Sequence, residues 1–118
     1  MAIPSGSGTE VLRTYRGEGI NGNSAASLLD GVANHIYTIV SIHVSENAGA
    51  DEVLTLYISS AGGAGTVSRF ANRVALGAWS SYVHNDKIVV TGTEELIVYT
   101  ADTSNLDIVI TYIDQDWT

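Results

Sequence analysis

The chain has 118 residues, one domain's worth, with 45% apolar and 15% charged residues, a balance that excludes disorder. Thirteen acids against five bases give a formal net charge of −8. The bases (Arg13, Arg16, Arg69, Arg73 and Lys87) are too few to track a phosphate backbone, so neither nucleic acid nor an anionic membrane is an expected partner.

In chain order, residues 1–9 (MAIPSGSGT) are small and Gly/Ser-rich and carry the only proline, Pro4. They read as an N-terminal arm, flexible until something orders it. Behind Met1 and Ala2 there is no charged n-region or apolar h-region, so the start reads as cytoplasmic. No segment reaches the ~18 apolar residues of a spanning helix. From Glu10 to the end, residues 10–118, the texture is that of one β domain. Candidate strands are 10–16, 26–30, 35–46, 52–59, 86–91, 95–100 and 106–114, rich in Val, Ile, Thr and Tyr. Runs of this kind, with turn signals every 8–12 residues or so, suggest an antiparallel sandwich or barrel.

The run 35–46 alternates most clearly. Ile36, Thr38, Val40, Ile42 and Val44 are expected on the inward face, with His35, Tyr37, Ile39, Ser41, His43 and Ser45 on the other. Leu54, Leu56 and Ile58 form the next inward set. Later, Ile88 and Val90, then Leu96, Val98 and Thr100, then Leu106, Ile108, Ile110 and Tyr112 repeat the alternation. The short connections between these last runs predict an antiparallel meander. Residues 60–66 (SAGGAGT) read as a flexible loop, and 67–83 as one or two short strands or a helical turn.

Candidate chemistry is sparse. Gly17-Glu18-Gly19-Ile20-Asn21-Gly22 is a literal GxGxxG, but a strand follows where a dinucleotide site needs a helix. It reads instead as a hairpin loop in which Asn21-Gly22 supply positive φ. His35 and His43 share the predicted strand face yet lie roughly 26 Å apart along it, too far to share a metal ion. His84 can join only one of them, so surface or interface histidines are expected. The acidic pairs Asp51-Glu52, Glu94-Glu95 and Asp114/Asp116 sit at predicted turns and read as solvated loop acids rather than calcium ligands. There is no cysteine, which excludes disulfides and thiol catalysis, and no G-x-S-x-G elbow. No enzyme, cofactor or metal is expected. Among the aromatics, Tyr37, Tyr57 and Tyr99 are assigned to cross-strand packing. Trp79 and Trp117 are candidate partner-binding residues. Trp117 sits in an acidic tail (DQDWT), which either docks on the domain or meets a partner; a carbohydrate-binding face also uses such aromatics.

Two stretches, HIYTIVSIHVSENAGADEVLTLYIS (35–58) and KIVVTGTEELIVYTADTSNLDIVITYID (87–114), have a rhythm of strand, polar turn and strand. In this they resemble the small β-sandwich virion proteins of tailed bacteriophages, the head-decoration (cement) and fibre or knob class. The resemblance covers about half the chain. It implies an all-β, antiparallel, jelly-roll-like sandwich that clamps onto the major capsid protein at the capsid surface, after synthesis in the host cytoplasm. A homo-oligomer, with a trimer favoured, is implied as well. In that reading the arm orders on docking, which makes Ala2, Ile3 and Pro4 candidate partner-binding residues beside Trp79 and Trp117. The alternatives are a head-fibre, tail-knob or glycan/receptor-binding module, or, in a third class, a small hydrolase.

Overall fold

Period-two alternation of β-branched and aromatic residues becomes strand nearly everywhere it occurs. The computed structural model describes residues 8–60 and 66–117. The strands are β1 (Thr9–Ile20), β2 (Ala26–Asp30), β3 (His35–Glu46), β4 (Glu52–Ser59), β5 (Val67–Leu76), β6 (Ser81–His84), β7 (Ile88–Thr91), β8 (Glu95–Thr100) and β9 (Leu106–Asp116), with a 3-10 turn at Gly22–Ser24. The expected arm lies outside the described residues except for Gly8 and Thr9, and Thr9 already belongs to β1. Ala2, Ile3 and Pro4 lie outside them too, as does most of the expected loop at 60–66.

The strands form two sheets. One runs β1-β9-β3-β6, with β7 also on β3; the other runs β2-β8-β4-β5. Every pairing is antiparallel. β6 lies along Ile42–Ser45 of β3 and β7 along Ile36–Ile39, so the two act as one strand interrupted at 85–87. Counted that way, the order is that of an eight-stranded jelly roll, the all-β sandwich expected.

The expected C-terminal meander is not present. β7 and β9 belong to the first sheet and β8 to the second, so the short connections are arches between sheets rather than hairpins. Two arches cross at one end. Gly31 donates its N–H to the Glu94 carbonyl at 2.8 Å, and a Cβ there would come within 2.3 Å of the Thr91 carbonyl oxygen. Only glycine permits that approach.

Between the sheets the core is apolar and enclosed. Ile39, Ile42, Val44, Leu54, Leu56, Val90, Leu96, Val98, Leu106, Ile108 and Ile110 have no exposed surface. The inward sets expected for β4, β8 and β9 are found there, except that Ile58 and Tyr112 are only partly buried against this core. In β3 the expectation is half overturned. A bulge between Ile39 and Ser41 inserts Val40 as an extra residue opposite β9, so Tyr37 and Ile39 point inward before it and Ile42 and Val44 after it. Val40 itself is 37% exposed. His35 and His43 therefore face opposite sides of the sheet.

The GxGxxG segment also departs from expectation. It closes β1 through a bulge between Gly17 and Ile20 and crosses to the other sheet instead of forming a hairpin. Positive φ falls on Gly19 and Ala25; Asn21, at φ −95, caps the 3-10 turn by accepting from the Asn23 N–H. The segment 67–83, read as one or two short strands or a helical turn, holds β5 and most of β6.

Candidate binding surfaces

Trp79 stands where a partner can reach it. It is 72% exposed, at φ +61, in the 77–80 turn between β5 and β6. Glu46, at the buried end of β3, builds its platform. One carboxylate oxygen accepts the N–H groups of Trp79 (2.9 Å) and Gly49 (3.0 Å), and the other accepts that of Ala48 (2.7 Å). These backbone donors, Trp79 foremost, hold the Glu46 carboxyl below the usual carboxylate range against the opposing effect of burial. The indole lies across Gly49, where a Cβ would come within 2.7 Å of the ring and φ is +75.

Trp117 is placed differently. Its N–H donates to the Asn34 carbonyl at 2.9 Å, and its ring lies so near Gly8 that a Cβ there would come within 2.8 Å of Cδ2. The tail docks on the domain, one of the two alternatives open in the sequence. The two tryptophans are not brought together: they sit near opposite ends of β3, which is roughly 36 Å long at ~3.3 Å per residue.

Beside Trp117 lies a charged cluster that sequence spacing does not reveal. Asp114, only 6% exposed, accepts from Arg13 Nε at 2.9 Å and meets His35 Nδ1 at 2.7 Å. The other ring nitrogen of His35 is 3.5 Å from Asp116. Tyr37 and Tyr112 pack edge to face alongside, and burial first, with Asp114 adding to it, raises both phenol pKa values. The cluster ties β1, β3 and β9 together. Among the described residues, no group of three His, Asp or Glu is arranged to hold a metal ion.

The outer face of the first sheet is the broadest surface. Register places Arg16, Val109, His43 and Val83 in one cross-strand row, Thr14, Thr111 and Ser41 in the next, and Leu12, Ile113, Thr38 and Val89 in the third. No acid stands in these rows; Asp107 and Glu10 lie beyond them at the two ends. Leu12 is 69% exposed, Val89 44%, Val83 43% and Val109 40%. Along the rim, β1 pairs with β9 alone among the described residues. The outer face of the second sheet carries a groove of about 410 Å³ between β4, β5 and β8.

No protein-family model matches the sequence, and no curated protein sequence matches it. Solved structures share the fold. A subunit of Bacillus endospore appendages, a family of disulfide-linked pili, is 15% identical, with TM-score 0.61 over 100% of this chain and 97% of that one. The VP2 subviral particle of infectious bursal disease virus is 14% identical, with TM-score 0.57 over 92% of this chain and 33% of that one. The Gx strain of the same virus gives 16% identity and TM-score 0.54 over 98% of this chain. The chain thus spans about a third of the viral chains and nearly all of the pilus subunit. What is shared is the jelly-roll sandwich.

Proposed function

We propose that the chain is a structural protein of a bacteriophage virion, a decoration (cement) protein that binds the major capsid protein at the capsid surface and stabilises the head. The observation that carries this is the outer face of the β1-β9-β3-β6/β7 sheet. A chain with thirteen acids keeps carboxylates out of three adjoining rows and exposes aliphatic side chains there. Covering such a face removes apolar surface from water without stripping solvent from a charged carboxylate. The open rim of β1 needs a cover as well, and a second copy supplies one, in keeping with the homotrimer that the resemblance implies. Solved structures with this fold include subunits of pili and of viral particles, which agrees with a role in a repeating assembly. Unlike the disulfide-linked pili, this chain has no cysteine, so disulfides do not join its copies.

Trp79, held out on the Glu46 platform, favours a second reading: a head-fibre, tail-knob or receptor-binding module that meets its target through that loop. Sedimentation with capsids purified free of the protein separates the two. Under the decoration reading, wild type and Trp79→Ala sediment with capsids, Val109→Glu stays in the supernatant, and deletion of residues 2–7 leaves a folded domain with weakened attachment. Capsid binding unaffected by Val109→Glu, or binding to host cells that Trp79→Ala abolishes, overturns it.

A further inference from the structure

The groove on the second sheet combines features with no role in the packing of the domain. Its floor is Thr55 and Tyr57 of β4, Tyr99 of β8 forms one wall, and Arg69, Asn72 and Arg73 of β5 form the other. Two of the five basic residues of an acidic chain meet here, and none of the lining residues is acidic. Neither Arg69 nor Arg73 has an ion-pair partner among the described residues, whereas Arg13 is bound to Asp114.

The backbone is bent to make this wall. β5 carries extra residues at two bulges against β4, one between Leu54 and Leu56 and one between Leu56 and Tyr57. In a regular strand Asn72 and Arg73 would point to opposite faces; here both line the groove. Arg73 takes φ +54, a left-handed conformation that non-glycine residues rarely adopt, and its N–H is held by Thr55 Oγ1 at 3.2 Å. The bulges thus put Arg73 beside Asn72 on the groove side with no carboxylate of the described residues to pair it.

We propose that this groove binds a short carboxylate-bearing saccharide, of the uronic or sialic acid type. Guanidinium groups take a carboxylate through paired N–H donors, Tyr57 and Tyr99 offer flat apolar faces with polar tips for a sugar ring, and Asn72 and Thr55 can bond its hydroxyls. The volume is within the range of small-ligand pockets, about 300–1,000 Å³. An acidic protein repels long polyanions, which favours a short ligand held locally. The site is independent of the capsid-facing sheet, so its failure would leave the decoration reading intact.

The test is titration of the folded protein by NMR with digalacturonic acid and with sialyllactose, against cellobiose as the neutral control. At least one acidic sugar is expected to move the resonances of Arg69, Asn72 and Arg73, and cellobiose to bind at least about tenfold more weakly. Arg69→Gln and Arg73→Gln should each lose about tenfold, Arg73→Lys less, and Trp79→Ala nothing. Both arginines are exposed, so each variant is expected to keep the wild-type amide spectrum outside the groove. No response to either acidic sugar, equal binding of cellobiose, or binding unchanged in the glutamine variants overturns the proposal. Tighter binding of a hexaglutamate peptide than of both sugars overturns it as well, and makes the groove a peptide dock.

Discussion

The carboxylate of Glu46 accepts the backbone N–H of Trp79 at 2.9 Å, joining the end of β3 to a turn 33 positions later. With Ala48 and Gly49 bonded to the same side chain, one acid organises two loops and the display of the most exposed aromatic residue.

Because those donors favour the charged form, Glu46 titrates lower in the folded chain than its ordinary 4.5. Its contribution to stability is fully present above pH 4.5 and disappears as pH falls through the lowered folded value. Thermal unfolding followed from neutral to acid pH should therefore show a wild-type midpoint that drops in this window. Glu46→Gln should start several degrees lower at neutral pH and show a smaller acid drop, with Trp79 emission more exposed and more mobile.

Glu52 behaves in the opposite sense. It is 4% exposed, Oε1 has no hydrogen-bond partner among the described residues, and burial, then the charges of Asp102 and Glu46, push its carboxyl up. A raised acid destabilises the folded chain above that folded value, and the penalty fades as pH falls toward 4.5. Glu52→Gln is expected to raise the melting midpoint at neutral pH, with the gain shrinking in acid; a drop at neutral pH would contradict this.

Ile108 and Val109 are neighbours with opposite duties. Ile108 is wholly buried, so Ile108→Ala should cost about 2–5 kcal/mol and lower the midpoint by on the order of 10 °C. Val109 is 40% exposed on the outer face, so Val109→Ala should change stability by about 0.5 kcal/mol or less and weaken capsid attachment instead. Calorimetry and sedimentation measure the two effects separately.

Leu12 projects from the open rim of β1 with 69% of its surface exposed. Light scattering of the purified protein is expected to give an oligomer, and Leu12→Lys, a charge of the kind that protects natural edges, should shift it toward a single chain with an unchanged melting curve. A wild-type monomer at micromolar concentration would favour self-association only on the capsid, or the receptor-binding module reading.

Strand positions and inward sets in β4, β8 and β9 were legible because their alternation is unbroken and their apolar faces are buried. In β3 the bulge at Val40 was illegible, since a valine there fits either face and only pairing with β9 reveals the extra residue. The arches were misread as hairpins because a turn between sheets uses the same Gly, Asn and Asp residues as a turn within one. β5 was legible only as an alternative to a helical turn, because its two bulges and its run of polar and charged residues obscure the period of two. The Asp114–His35 contact and the Arg69–Tyr99 groove join residues far apart in sequence, with nothing local to mark them. Trp79, named from the sequence only as a candidate partner-binding residue, is exposed, and nothing local in the sequence marks the platform that Glu46 builds for it.

The pairing of Thr9 with Asp116 sets the two ends of the described chain side by side, and Gly8 touches Trp117. The gap at Asn85-Asp86-Lys87 meanwhile separates β6 from β7, and its three residues are exposed. A circular permutant opened at this gap, with a short linker closing Trp117 to Gly8, would thus keep every strand in place. The same gap is a natural point for splicing in a foreign peptide, which would make the subunit a carrier for display.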